Sequence, residues 1–139
     1  MQATVKWQDG LCFESTTENG HKVIMDGSKE KGASPMEMVM MCAGNCASID
    51  IVMILEKARQ AITGVEVKLE GERVDAVPAI FSKIHMHFVV TGKDLSEKQV
   101  ERAVNLSMEK YCSVSIMLKE AVEITHSFET IQEQVSLEA

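Results

Sequence analysis

Four cysteines, at positions 12, 42, 46 and 112, give this chain its clearest capacity for covalent chemistry, because a thiolate is both a nucleophile and a redox centre. No two of them form a CxxC pair, and no compact Cys/His pattern reads as a zinc site. Thiol chemistry must therefore join residues distant in sequence. Cys46 lies in Ala43-Gly44-Asn45-Cys46-Ala47-Ser48, where small side chains let other groups come close to a thiol. The same run accommodates a cysteine that only fills space, since free cysteine is among the most buried residue types. Cys112, in Tyr111-Cys112-Ser113-Val114-Ser115, falls between the end of one helix and the start of the next, and a helix N-terminus lowers a thiol pKa. That setting favours reactivity at Cys112 more than at Cys46. Cys42 stands one turn before Cys46, and nearly parallel Cβ vectors would strain a disulfide between them. Core packing is expected for Cys42, and a structural role for Cys12.

Three further groups have both a chemical and a structural reading. Glu37 could act on a substrate, but its place three residues after Ser34 also makes it the glutamate of a capping box. His85 and His87 point the same way on a strand; two ligands without a third make a weak metal site, so half-exposed sheet positions and no bound metal are expected. Ten methionines, five of them between Met36 and Met53, suit an adaptable core or a pocket for apolar ligands.

The elements that must position these residues follow from local pattern. Asp9-Gly10 and Asn19-Gly20 are turn signals between near-alternating apolar runs, which predicts three antiparallel strands near 2–8, 11–18 and 21–26. Gly27 to Ala33 reads as a loop. Ser34-Pro35-Met36-Glu37 starts a helix with an N-cap residue, a proline suited to the first helical position and a capping-box glutamate. From Met36 to Leu55 only Glu37 and Asp50 are charged, so the helix has no polar face and is expected to be buried nearly all round. Gly44, Asn45 and Asp50 interrupt it short of the ~20 apolar residues a bilayer span needs. After a break at Gly64, residues 65–74 and 79–91 alternate as strands, the second with Ile84, Met86, Phe88 and Val90 on one face. Ser96 and Gln99 mark a helix running to about Tyr111 with Val100, Ala103, Val104, Ser107, Met108 and Tyr111 on its inner stripe. A short helix from Ser113 to Lys119, a strand through Val122, Ile124 and Phe128, and a frayed tail from about Ile131 complete the chain. Strands and helices come in blocks rather than as βαβ units, so the fold class is α+β.

Composition bounds the rest. A chain of 139 residues that is 45% hydrophobic is expected to form one domain, 1–139, without a disulfide or metal staple. A formal charge of −7 and the lack of any basic cluster interleaved with aromatics argue against nucleic acid as a partner. The opening MQATVKWQDG has no apolar run, so neither a secretory signal nor a membrane anchor is expected, and a cytoplasmic, reducing location follows.

Ser34-Pro35-Met36-Glu37 leading to Cys46, Tyr111-Cys112-Ser113-Val114-Ser115 leading into the last elements, and the element order together resemble the OsmC/Ohr superfamily over essentially the whole chain. Met25-Asp26-Gly27 and Glu109-Lys110-Tyr111-Cys112-Ser113-Val114 are most similar to its YhfA-like branch. The resemblance implies an OsmC-like fold, with antiparallel sheets around a long central helix, and an intertwined homodimer with two sites at the subunit interface. It implies reduction of small organic hydroperoxides, with Cys46 as nucleophile, Cys112 as resolving thiol and Glu37 near the motif as a third site residue. A dithiol reductant would restore the thiols, and no cofactor is implied. Two departures follow from the sequence. Peroxidatic members use an arginine from the N-terminal half, held by a glutamate directly after the motif proline. Here no arginine precedes Arg59, Met36 follows Pro35, and Glu37 is shifted by about 100° round the helix. Lys6 or Lys22 could supply a cation, without the bidentate hold of a guanidinium, while Asp50 opposes formation of a thiolate at Cys46. Peroxide reduction is therefore expected to be slow at pH 7. A dimeric protein that binds a small apolar ligand without catalysis, and a thiol redox sensor, are the alternatives.

Overall fold

The computed structural model describes residues 1–133, which form two compact units, Met1–Met41 and the chain from Cys42 onward. In the first unit β1 (Ala3–Asp9), β2 (Cys12–Thr17) and β3 (Lys22–Asp26) make an antiparallel sheet in the order β1-β2-β3. Trp7 pairs with Phe13 and Phe13 with Met25, so apolar cross-strand neighbours set the register. The turn at Asn19-Gly20 is longer than the two-residue loop its sequence suggests. The Thr17 N–H donates to the His21 carbonyl (2.9 Å), and Gly20 takes the left-handed conformation (φ +88°) that closes the bend. Past β3, the carboxylate of Asp26 organises the loop by accepting from the Ser28 N–H (2.8 Å), the Ser28 hydroxyl (2.7 Å) and the Lys31 N–H (3.0 Å). These bonds hold Asp26 below the ordinary carboxylate range, the Ser28 hydroxyl contributing most.

The helix α1 (Pro35–Lys57) begins in the first unit and continues through the second. Its start is the capping box the sequence predicts: the Glu37 N–H donates to Ser34 Oγ (3.2 Å), and the Ser34 N–H donates to Glu37 Oε1 (3.0 Å). The expectation of burial all round does not hold within the chain. Ala43, Gly44, Ala47, Ile51 and Leu55 form one buried stripe, whereas Val39, Met41, Ile49 and Met53 are 37–56% exposed. Apolarity on every side records two faces, and among the described residues the buried one is the Ala43 to Leu55 stripe. By length and composition alone α1 is apolar enough to cross a membrane, but its inner stripe is a protein-packing surface. A Cβ on Gly44 would come within 2.8 Å of a Leu69 methyl and 3.2 Å of a Val67 methyl, so glycine sets how closely the helix approaches the strand beside it.

In the second unit β4 (Ala61–Arg73) and β5 (Phe81–Lys93) are antiparallel, and β6 (Glu123–Gln132) lies beside β5 and parallel to it. The sheet is thus mixed, where antiparallel sheets are implied by resemblance. The helical crossover between β5 and β6 returns the chain to the same end of the sheet, which permits the parallel pairing. Gly64 does not break the chain; it lies inside β4 at a register shift between Ile62 and Gly64. Ile84, Met86, Phe88 and Val90 are fully buried on one face of β5. Ser96 caps α2 (Glu97–Leu106), accepting from the Gln99 N–H at 3.4 Å, and Val100, Ala103 and Val104 form its buried side.

The α-helical geometry expected as far as Tyr111 ends at Leu106 and gives way to a π-helical turn, Ser107–Tyr111. The Cys112 N–H closes this turn on the Ser107 carbonyl (2.7 Å). Bonding five residues back rather than four places Cys112, not Tyr111, over Ser107. Tyr111 is accordingly half exposed rather than on the inner stripe. A short α3 (Ser113–Leu118) follows. The chain is not frayed at Ile131. β6 runs to Gln132, whose side-chain amide accepts from the Leu95 N–H (2.9 Å) and donates to the Leu95 carbonyl (2.8 Å). The remainder of the expected tail, 134–139, lies outside the described residues.

Candidate functional site

The second unit brings Cys46 and Cys112 together. α1 contributes Cys46, half-buried beside the stripe, and offers the carbonyls of Ala43 and Ala47 one turn apart. The π-turn presents two side chains to those carbonyls. Ser107 Oγ donates to Ala47 O at 2.9 Å, and the Cys112 thiol is directed at Ala43 O at 3.8 Å. Two anchors five residues apart on one element thereby match two acceptors four apart on the other. Cys112, fully buried, is left near enough to Cys46 for that thiol to bear on its ionisation.

Cys112 is also the N-cap of α3. Its sulfur accepts from the Ser115 N–H (3.4 Å) and lies 3.1 Å from Ser115 Oγ. The helix-start stabilisation read from the sequence is present, but burial exceeds it and pushes the Cys112 thiol above its ordinary 9.0. The Ser115 hydroxyl and N–H pull the other way, whereas the neighbouring Cys46 adds to the rise. Cys112 is therefore sealed in and costly to ionise, while Cys46 is half-buried. Cys42 departs further from expectation: it is exposed on α1 rather than packed in the core. Cys12 is buried, as a structural cysteine would be.

Glu37 belongs to the first unit, where the Ser34 N–H and, after it, the Ser34 side chain hold its carboxyl below the ordinary range, with a smaller contribution from the charge of Lys29. Lys22 pairs with Glu14 at 3.3 Å, and Lys6 stands opposite Glu14 in the register of β1 and β2. Asp50, one turn beyond Cys46, lies 3.4 Å from Ser107 Oγ.

Between the second half of α1, α2 and the π-turn is an open cavity of about 500 Å³. Met53, Ile54, Ala58, Leu106 and Tyr111 line it, together with Asp50, Lys57 and Arg102.

His85 and His87 lie half-buried on the other face of β5. His85 Nδ1 is 2.6 Å from Thr125 Oγ1, its Nε2 is 3.0 Å from Ser127 Oγ, and His87 Nδ1 is 2.7 Å from the same hydroxyl. His87 Nε2 is 3.4 Å from a Glu129 carboxylate oxygen. Among the described residues no three His, Cys, Asp or Glu side chains are grouped to hold a metal ion. Ser107 and Ser115, which build the surroundings of Cys112, carry no functional signal in the sequence beyond being small polar residues on buried helical positions.

Residues 27–127 match the family model described as OsmC-like protein. Protein YhfA of Escherichia coli (strain K12) is 54% identical over 132 residues, covering 94% of this chain and 98% of that protein. The crystal structure of a hypothetical protein from Aquifex aeolicus VF5 superposes with a TM-score of 0.87 at 32% identity, covering 96% of this chain and 97% of the other. An organic hydroperoxide resistance protein from Legionella pneumophila shares the fold at 17% identity, with a TM-score of 0.69 and coverage of 93% and 97%. OhrB of Bacillus subtilis, likewise an organic hydroperoxide resistance protein, does so at 18% identity, with a TM-score of 0.61 and coverage of 93% and 98%. With its α+β architecture of two sheets and helices, the chain belongs to the OsmC-like family.

Proposed function

We propose that this protein reduces organic hydroperoxides through Cys46 and Cys112. The observation that carries the reading is a half-buried thiol near enough to a fully buried one to bear on its ionisation, the two coming from elements far apart in sequence. Attack of the Cys46 thiolate on a peroxide oxygen breaks the O–O bond, leaving a sulfenic acid on Cys46 and releasing an alcohol. Cys112 then attacks that sulfur, forming the disulfide and releasing water, and a dithiol reductant restores both thiols. The names of the Legionella and Bacillus proteins supply the substrate class. Glu37 supports the site by fixing the start of α1, the helix that carries Cys46. The exposed apolar side of α1 favours a homodimer in which a second copy covers it, and a reducing cytoplasm would supply the dithiol.

A second reading is favoured by the cavity, whose Met53, Ile54, Leu106 and Tyr111 would hold a small apolar ligand without any reaction. Peroxide consumption with a dithiol in excess separates the two. Turnover that disappears in Cys46→Ser supports the peroxidase; the absence of Cys46-dependent consumption at every pH from 6 to 9 leaves the binding protein.

A further inference from the structure

We propose that Ser115 is a catalytic residue of the second half-reaction, its hydroxyl holding and polarising the Cys112 thiol for attack on an oxidised Cys46. The inference rests on the peroxidase reading and deepens it. Ser115 is 2% exposed, and its Oγ lies 3.1 Å from the Cys112 sulfur. A fully buried thiol is a poor resolving group, because the attacking sulfur must shed a proton where water does not reach it. A hydroxyl is suited to that place, since it can accept the S–H while the thiol is intact and donate O–H to the sulfur as negative charge develops. Besides Ser115, the hydrogen-bond partner of the Cys112 sulfur among the described residues is the Ala43 carbonyl, which is 3.8 Å away and can only accept. It cannot stabilise a thiolate.

In the step itself, the S–H bond of Cys112 and the S–O bond of the Cys46 sulfenic acid break, and an S–S bond forms. The proton leaves with the departing hydroxyl as water, on the side where Cys46 is accessible. The two electrons taken by the hydroperoxide are then accounted for by two thiols and one disulfide. The Ser115 hydroxyl remains chemically unchanged. Its effect is confined to the resolving sulfur, so formation of the sulfenic acid on Cys46 does not depend on it.

The test follows both half-reactions in one stopped-flow experiment on the reduced protein with an organic hydroperoxide, using Ser115→Ala, Ser115→Thr and Ser115→Val. Sulfenic acid formation on Cys46, read by a trapping dione, is expected to be unchanged in all three. Disulfide formation is expected to be about tenfold slower in Ser115→Ala, the effect of losing one hydrogen bond to a developing charge, with its pH profile displaced to higher pH. The titratable group that bears on Cys112 among the described residues is Cys46, and Asp50 lies one turn further along α1 beside Ser107, so both remain in every variant. Ser115→Thr keeps the hydroxyl and should resolve like the parent, whereas the isosteric Ser115→Val should be as slow as alanine. The Thr and Val pair carries the test if alanine loosens the fold. Equal resolution rates and pH profiles in Thr and Val, with normal sulfenic acid formation, would overturn the role of Ser115 alone. Absence of sulfenic acid in the parent protein would overturn the peroxidase reading and this inference with it.

Discussion

At the scale of single residues, the two thiols are made unequal by burial. Cys46 is reachable from outside, and Cys112 is sealed under α1 with its thiol pushed up by burial. In the proposed mechanism this division suits Cys46 to attack and Cys112 to resolution, whereas the helix junction around Cys112 favours Cys112 from sequence. Cys46→Ser should abolish peroxide consumption. Cys112→Ser should allow one oxidation equivalent per site and then stop, because the sulfenic acid has no partner; burst and steady-state measurements on the two variants distinguish these outcomes. Since the Cys112 pKa is raised in the folded protein, the fraction of resolving thiolate grows as pH rises from neutrality toward and beyond 9.0. Disulfide formation in the wild type should therefore accelerate toward alkaline pH. A rate constant for resolution that is flat from pH 6 to 9 would contradict the burial argument.

At the scale of elements, a small-residue stripe and a widened helical turn bring the thiols together. Gly44→Ala would drive a Cβ to 2.8 Å from Leu69, an overpacking expected to cost ~1–3 kcal/mol in denaturant unfolding. Two carboxylates secure the approach to α1, Asp26 through Ser28 and Glu37 through Ser34. Both titrate below their ordinary 3.8 and 4.5, so the stability they provide is complete above those values and is lost as pH falls through the lowered folded ones. Acid melting of Asp26→Asn and Glu37→Gln should show a weaker decline in stability below about pH 4.5 than the parent. Much of this level is legible in sequence. Turn glycines, the Ser34 to Glu37 box, the alternation through Ile84 to Val90 and the Ser96 cap each write a local rule that nothing distant overrides. The π-turn is not legible. Val100 to Tyr111 reads as one amphipathic helix, and only the contacts of Ser107 and Cys112 with Ala47 and Ala43 show why the turn widens. The parallel pairing of β6 is equally invisible, because alternation records which residues face inward but not which way the neighbouring strand runs.

At the scale of the whole molecule, α1 carries apolar side chains that are exposed among the described residues, Val39, Met41, Ile49 and Met53. The sequence shows that the helix lacks a polar side, but not how much of it one chain covers. Sedimentation at micromolar concentration should give twice the 15.4 kDa chain mass, and replacing Ile49 and Met53 by glutamate should shift it toward the monomer. A stable monomer of the parent protein would contradict the proposed pairing. The central claim, that Cys46 and Cys112 act as one redox pair, is tested most directly by peptide mapping after mild oxidation of the reduced protein with an organic hydroperoxide. The account predicts one disulfide, Cys46 to Cys112, with Cys12 and Cys42 recovered as free thiols. A disulfide through Cys42, or four unreacted thiols, would contradict it.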